Sequence, residues 1–149
     1  MNIVRAHIEH LDLIVPLFDA YRVFYRKSSN KTAAKQFLFD RLKNRDSIIF
    51  LAIVDGETVG FTHLYSSFSS VSMQSIYILN DLYVNQEYRK QGVGVALLNK
   101  AKQLCRENNF KGLALQTETT NPAQHLYESL GWVKDPDLQY FWTNDELSI

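Results

Sequence analysis

The stretch from Ile76 to Glu107 constrains the fold more than any other part of this sequence. Ile76–Val84 is a run of apolar residues at strand length, and Asn85-Gln86-Glu87-Tyr88 follows as a loop. After Arg89-Lys90-Gln91-Gly92-Val93-Gly94, the apolar residues Val93, Leu97, Ala101 and Leu104, with Leu98 and Cys105, recur at intervals of three and four. The period changes from that of a buried strand to that of an amphipathic helix across a turn holding two glycines. A strand that feeds a helix in this way belongs to a layered fold mixing helices with a sheet.

The flanking elements extend the pattern. Asn2–Ala6 reads as a first strand. Glu9–Arg26 reads as a helix through Leu13, Leu17, Ala20 and Phe24, and Thr32–Leu42 as a second through Ala33, Phe37 and Leu38. Ser47–Val54 predicts a buried strand, Asp55-Gly56-Glu57 a hairpin turn and Thr58–Tyr65 the returning strand. Ser66–Ser75, rich in serine, is a loop or a frayed continuation of that strand. Gly112–Thr117 is a further strand, and Asn121-Pro122 opens a helix that Gly131 stops. Trp132-Val133 and Leu138–Trp142 predict closing strands. The expectation is one domain over 1–149, an α/β (α+β) fold with a mixed, mostly antiparallel central sheet of six to seven strands flanked by four helices.

Composition narrows the function classes. The 149 residues include 16 Lys and Arg against 16 Asp and Glu, and this balance argues against a protein that lives on phosphate backbones, so no nucleic-acid partner is expected. The longest apolar run, Ile48–Val54, is far shorter than the ~20 residues of a membrane helix, and Met1–His7 lacks the layout of a secretory leader. A cytoplasmic protein without a membrane partner is expected. Cys105 is the one cysteine, so no internal disulfide can form. His7, His10, His63 and His125 are scattered without metal-ligand spacing, and no metal is expected. The charge is uneven: eight basic residues between Arg22 and Arg45 face one acid, Asp40. That segment reads either as two solvated helix faces or as a flank that attracts an anionic group.

The Gly92–Gly94 turn has the makings of an anion site. The first N–H groups of a helix have no intrahelical partners, and the helix dipole adds about half a positive charge there. Glycine lets a phosphate approach the backbone, and Arg89 and Lys90 add side-chain charge. The dinucleotide fingerprint is excluded, since Leu97 stands where its third glycine would be, and no Gly-Lys-Ser/Thr is present for a nucleoside-triphosphate loop. A diphosphate on neither scaffold remains.

These residues carry a resemblance. Arg89-Lys90-Gln91-Gly92-Val93-Gly94 matches the Q/R-x-x-G-x-G/A signature of the GNAT superfamily of acyl-CoA-dependent N-acyltransferases, and Asn80-Asp81-Leu82-Tyr83-Val84 resembles its central strand. Asn121-Pro122-Ala123-Gln124-His125-Leu126-Tyr127-Glu128-Ser129-Leu130-Gly131-Trp132 resembles its second motif. The order of elements is similar across nearly the whole chain, and Ile78–Trp132 is similar to the polyamine and small-amine branch. The resemblance implies acetyl-CoA as co-substrate. It would be held by Leu82, Tyr83 and Val84 along its pantetheine arm, by Arg89, Lys90, Gln91, Gly92, Val93, Gly94 and Val95 at the diphosphate, and by Asn121 and Tyr127. The resemblance also implies a homodimer, formed through the strands around Leu138–Trp142.

Acetyl transfer to an amine sets further demands. An alkylammonium has a pKa near 10.4 and must lose a proton before it attacks. Asp81 and Glu118 are the acids best placed by sequence to take it, although Asp81 fits a carboxylate holding local backbone equally well. In the polyamine branch a glutamate often stands where this chain has Asn80, and asparagine cannot accept that proton. Tyr127 is the candidate general acid for the leaving thiolate. Tyr21, Phe24 and Tyr25 divide between core and the wall of an amine pocket. The expected function is N-acetyl transfer from acetyl-CoA to a primary amine of a small molecule, an amino acid or a polyamine-like compound, by direct attack in a ternary complex. A non-catalytic acyl-CoA sensor and a protein lysine acetyltransferase are the alternatives.

Overall fold

Asp55 and Gly56 take left-handed backbone angles, φ 50° and 79°, and form the two-residue turn of a hairpin whose last pair is Val54 with Glu57. The computed structural model describes residues 1–146 and shows two compact units, Met1–Gln116 and a second from Thr117 onward. The first unit runs β1 (Asn2–Arg5), α1 (Leu11–Phe24), α2 (Lys31–Asn44), β2 (Ser47–Val54), β3 (Glu57–Ser69), β4 (Gln74–Val84), α3 (Val93–Glu107) and β5 (Leu113–Leu115). Its five strands lie side by side in chain order. The pairs are antiparallel except β4 with β5, which α3 joins as a parallel crossover.

Strand alternation sends the core to both faces of the sheet. Ile49, Leu51 and Phe61 pack with Ile14, Leu17 and Phe18 of α1 and with Ala34 and Leu38 of α2. Phe50, one residue out of phase, meets α3 instead, with the Lys100 ammonium 5.9 Å from its ring centre. Val93, Leu97, Leu98 and Ala101 are buried along the α3 stripe that the sequence marks out. Each such large aliphatic side chain contributes roughly 1.5–3 kcal/mol on burial. Gly60 of β3 lies under α3: a Cβ there would come 2.9 Å from the Tyr83 carbonyl oxygen and 3.3 Å from Val93 Cγ1.

Helix ends follow local chemistry. The first helix stops at Phe24 rather than Arg26 because Arg26 turns left-handed, φ 69°; its N–H bonds Val23 O at 2.9 Å and the N–H of Lys27 bonds Arg22 O at 3.0 Å. That is a Schellman closure with arginine where glycine is usual. Beyond it, the buried Asp19 accepts from Ser29 Oγ at 2.6 Å and from the Asn30 N–H at 2.8 Å, fastening the α1–α2 connection. These bonds hold its carboxyl below the usual carboxylate value, the Ser29 bond foremost. Asn30 in turn caps α2 by accepting from the Ala33 N–H.

The serine-rich 66–75 stretch is the strand continuation rather than a loop. The β3–β4 ladder reaches Ser69 opposite Gln74, and only 70–73 turn. The predicted strand at Gly112–Thr117 shortens to Leu113–Leu115.

The second unit contains α4 (Ala123–Ser129), which brings the α-helices among the described residues to four. Its residues 132–142 form no ladder among the described residues, so the sheet has five strands where six to seven are expected. Asp135 accepts from the Asp137 N–H at 2.9 Å, and this side-chain turn around Pro136 breaks the extended run. Val133, Leu138, Tyr140, Phe141 and Trp142 are all at least 78% exposed. No helix among the described residues is long and apolar enough to cross a membrane.

Candidate active site

The parallel β4–β5 ladder ends at Leu79 opposite Leu115, while β4 continues to Val84. Leu82, Tyr83 and Val84 thus lie beyond the last rung. They pair on one side with Thr62, Phe61 and Gly60 of β3, and their other edge runs past the end of β5. A strand edge of this kind presents N–H and C=O groups that an extended ligand can bond as another strand would.

That edge leads through a 3-10 turn at Gln86–Tyr88 to the N-terminus of α3. Gly92 sits at φ 84°, and helical bonding starts with the Ala96 N–H on Gly92 O at 3.0 Å, so the amides of Val93, Gly94 and Val95 precede the ladder. Nothing lies within 4 Å of the space a Gly92 Cβ would fill. Lys90 and Gln91 are exposed beside it, with Gln91 Nε2 donating to Glu87 O at 3.2 Å. Arg89 is placed differently from a simple phosphate ligand. Its Nε donates to Val84 O at 2.9 Å, and its guanidinium lies 5.5 Å from the Tyr83 ring centre and 5.9 Å from that of Phe24. It therefore ties the end of α1 to the end of β4 by cation–π contact.

Tyr21, Phe24 and Tyr25 lie together in one aromatic cluster. Tyr21 stands edge-on to Tyr83 at 6.4 Å and to Phe61 at 5.9 Å, and packs against Tyr25 at 5.0 Å, which meets Phe24 at 5.1 Å. Tyr21 is half-buried and Phe24 is 50% exposed, so the cluster runs from the core to the surface.

Beside it the β3–β4 register slips: Leu64 pairs with Leu79 but His63 pairs with Asp81, leaving Asn80 as the extra residue of a β-bulge. Bulges re-aim side chains, and Asn80 is the exposed residue in an otherwise buried or half-buried stretch of β4. Asp81, only 4% exposed, accepts from Asn80 Nδ2 at 2.9 Å through Oδ1 and meets His63 Nδ1 at 3.0 Å through Oδ2. His63, wholly buried, reaches Ser47 Oγ at 2.7 Å through Nε2. Thr62 Oγ1 donates to Asp81 O at 2.8 Å. The Tyr65 ring lies 4.7 Å from that of His63, tilted by 40°, and its phenol is pushed up to about 12 by burial and then by the Asp81 charge.

The sequence reading missed His63 and Ser47. The signal was strand alternation, which puts His63 on the inward-facing set with Phe61 and Tyr65. Much of the basic segment is engaged locally: Lys35 pairs with Asp12 at 3.0 Å, Arg41 with Asp46 at 2.9 Å, and Arg22 Nη1 donates to Ser28 O at 3.3 Å. Cys105 is buried, and desolvation raises its thiol above the ordinary value.

Within the second unit, Asn121 Oδ1 accepts from the Ala123 N–H at 2.9 Å and so starts α4. Tyr127 is 9% exposed and meets Trp132 edge-on at 6.1 Å, while Glu118 is exposed.

Residues 14–132 match the model of the acetyltransferase (GNAT) family. The chain is 46% identical over 145 residues to an uncharacterized N-acetyltransferase, YhfO, of Bacillus subtilis (strain 168), covering 97% of each. It is 35% identical over 105 residues to streptothricin acetyltransferase A of the same organism, covering 67% of this chain and 58% of that one. The crystal structure of a probable acetyltransferase superposes with a TM-score of 0.90 at 41% identity, over 99% of this chain and 100% of that one. The chain belongs to the GNAT acetyltransferase family and is an acetyl-CoA-dependent N-acetyltransferase.

Proposed function

We propose that this enzyme acetylates the primary amine of a small molecule by direct attack in a ternary complex. The observation that carries the reading is the continuous path in the first unit from the β4 edge at Leu82–Val84 to the uncapped amides before Ala96. It suits an extended arm ending in a diphosphate, and the Gly92 backbone leaves room for that group. The Tyr83 or Val84 N–H is assigned to polarise the thioester carbonyl. Of the two carboxylates, exposed Glu118 is assigned to take the ammonium's proton through water, while both oxygens of Asp81 are engaged in holding Asn80 and His63. The neutral amine attacks the acetyl carbon, the C–S bond breaks, and Tyr127 gives its phenolic proton to the departing thiolate. The family match crosses both compact units, which supports one catalytic domain over 1–149.

The likeness to an enzyme named for streptothricin supports a small-molecule acceptor. We place the enzyme in the cytoplasm as a homodimer, with the exposed run Leu138–Trp142 at the contact; sedimentation at micromolar concentration checks the dimer. Free-thiol release from acetyl-CoA is the functional test, run with polyamines, amino acids, aminoglycoside-type amines and lysine peptides. Turnover confined to small amines is expected. Turnover confined to lysine peptides would overturn the acceptor class.

A further inference from the structure

We infer that the side-chain amide oxygen of Asn80 is the hydrogen-bond acceptor that recognises the amine of the acceptor substrate, and that the buried chain Ser47–His63–Asp81 fixes it in that role. The inference rests on the transferase reading above.

An ionised carboxylate only accepts hydrogen bonds. Asp81 Oδ2 therefore takes the N–H of His63 Nδ1, and Oδ1 takes an N–H from Asn80. With Nδ1 protonated, neutral His63 offers a lone pair at Nε2, which the Ser47 hydroxyl fills as donor at 2.7 Å. The serine hydroxyl can also accept, so this contact survives protonation of the ring. The chain has one consequence for Asn80: its Nδ2 must face inward, so its Oδ1 must face outward. An asparagine amide is ordinarily free to present either end, but here a buried carboxylate chooses. Among the described residues nothing bonds that outward oxygen.

Position supports the same assignment. Asn80 is the extra residue of the bulge, exposed, just past the last β4–β5 rung and two residues before Leu82. Its own backbone carbonyl accepts from Tyr21 Oη at 3.2 Å, which draws the aromatic wall of Tyr21, Tyr25 and Tyr83 next to it. A hydrogen-bond acceptor beside aromatic rings suits a primary amine or ammonium. It suits a carboxylate or phosphate badly, since an amide oxygen repels an anion. Asparagine cannot take the proton, so its contribution is to binding and orientation, and it falls on the KM for the amine.

The test uses the full-length protein and the amine the wild-type enzyme turns over fastest in the panel above. Asn80→Leu and Asn80→Ala are compared with wild type for KM of the amine, KM of acetyl-CoA, kcat and melting temperature; the position is exposed, and Ala serves if Leu does not fold. The expected result is a rise of at least tenfold in the amine KM, with the acetyl-CoA KM within about twofold. An amine KM within twofold of wild type, or an equal rise in both KM values, overturns the inference and leaves the transferase reading standing. If wild type binds acetyl-CoA by thermal shift yet turns over no amine, the transferase reading itself falls and this inference with it.

Discussion

Replacing Gly60 by alanine probes the link between packing and β4, the strand proposed to hold acetyl-CoA. The added Cβ would lie 2.9 Å from the Tyr83 carbonyl oxygen, 3.3 Å from Val93 Cγ1 and 3.4 Å from Leu97 Cδ1. The two side-chain contacts can relax by a few tenths of an ångström. The carbonyl cannot, because Tyr83 is held in the β3–β4 ladder opposite Phe61. Overpacking of this kind costs about 1–3 kcal/mol. For a chain of 149 residues, at about 2–4 °C per kcal/mol, the melting midpoint should fall by roughly 4–8 °C for a cost near the middle of that range. The shift must also move β4 at Tyr83, so the acetyl-CoA KM should rise in the same variant. Gly56→Ala is the control: nothing lies within 4 Å of its Cβ position, but φ is +79°, so it should lose about 1–2 kcal/mol of stability with no change in that KM. Differential scanning fluorimetry and thiol-release kinetics read both effects. A Gly60→Ala protein that melts within about 1 °C of wild type with an unchanged acetyl-CoA KM would refute the packing argument.

Tyr127→Phe keeps the ring beside Trp132 and removes only the hydroxyl, so kcat should fall about a hundredfold while the acetyl-CoA KM stays near wild type; steady-state kinetics check it. Asp19 has a folded pKa below its unfolded value, so its stabilisation is present above that unfolded value and is lost as pH falls through the folded one. Urea melts should show Asp19→Asn less stable than wild type near neutrality, with the gap closing as the pH drops below about 4. For Tyr65 the sign is opposite. Its folded value of about 12 exceeds the ordinary 10.0, so its contribution is complete below pH 10.0 and is lost as the pH rises toward 12. Alkaline melts of Tyr65→Phe should therefore lose less stability over that interval than wild type.

Local pattern was enough for the elements that carry their own signal. The helical stripe of α3, the Asp55-Gly56 turn and the unbroken apolar run of β2 are each legible within a dozen residues. The expectation of an anion site at the glycine turn before α3 has the same origin, since the orphan amides of a helix start are a local property. Long-range facts were not legible. The end of the β4–β5 ladder at Leu79, the bulge at Asn80 and the burial of His63 against Ser47 and Asp81 depend on residues 16 or more apart. The need for glycine at position 60 depends on Tyr83, 23 residues away, and strand periodicity alone could not show it. The C-terminal aromatic run has strand composition, but composition does not supply a ladder partner. Arg89 was legible as a cation and not as the link between Phe24 and Tyr83, because its reach across to α1 is a property of the packed sheet.

The central claim is direct transfer of an acetyl group from acetyl-CoA to a small primary amine. Mass spectrometry of a single reaction containing the wild-type protein, acetyl-CoA and the amine panel tests it most directly, with the protein itself analysed from the same sample. One or more N-acetylated small amines are expected in amounts equal to the free CoA released, with no acetyl group on the protein. Release of CoA without any acetylated amine, or acetyl retained on the chain as an intermediate, would contradict it.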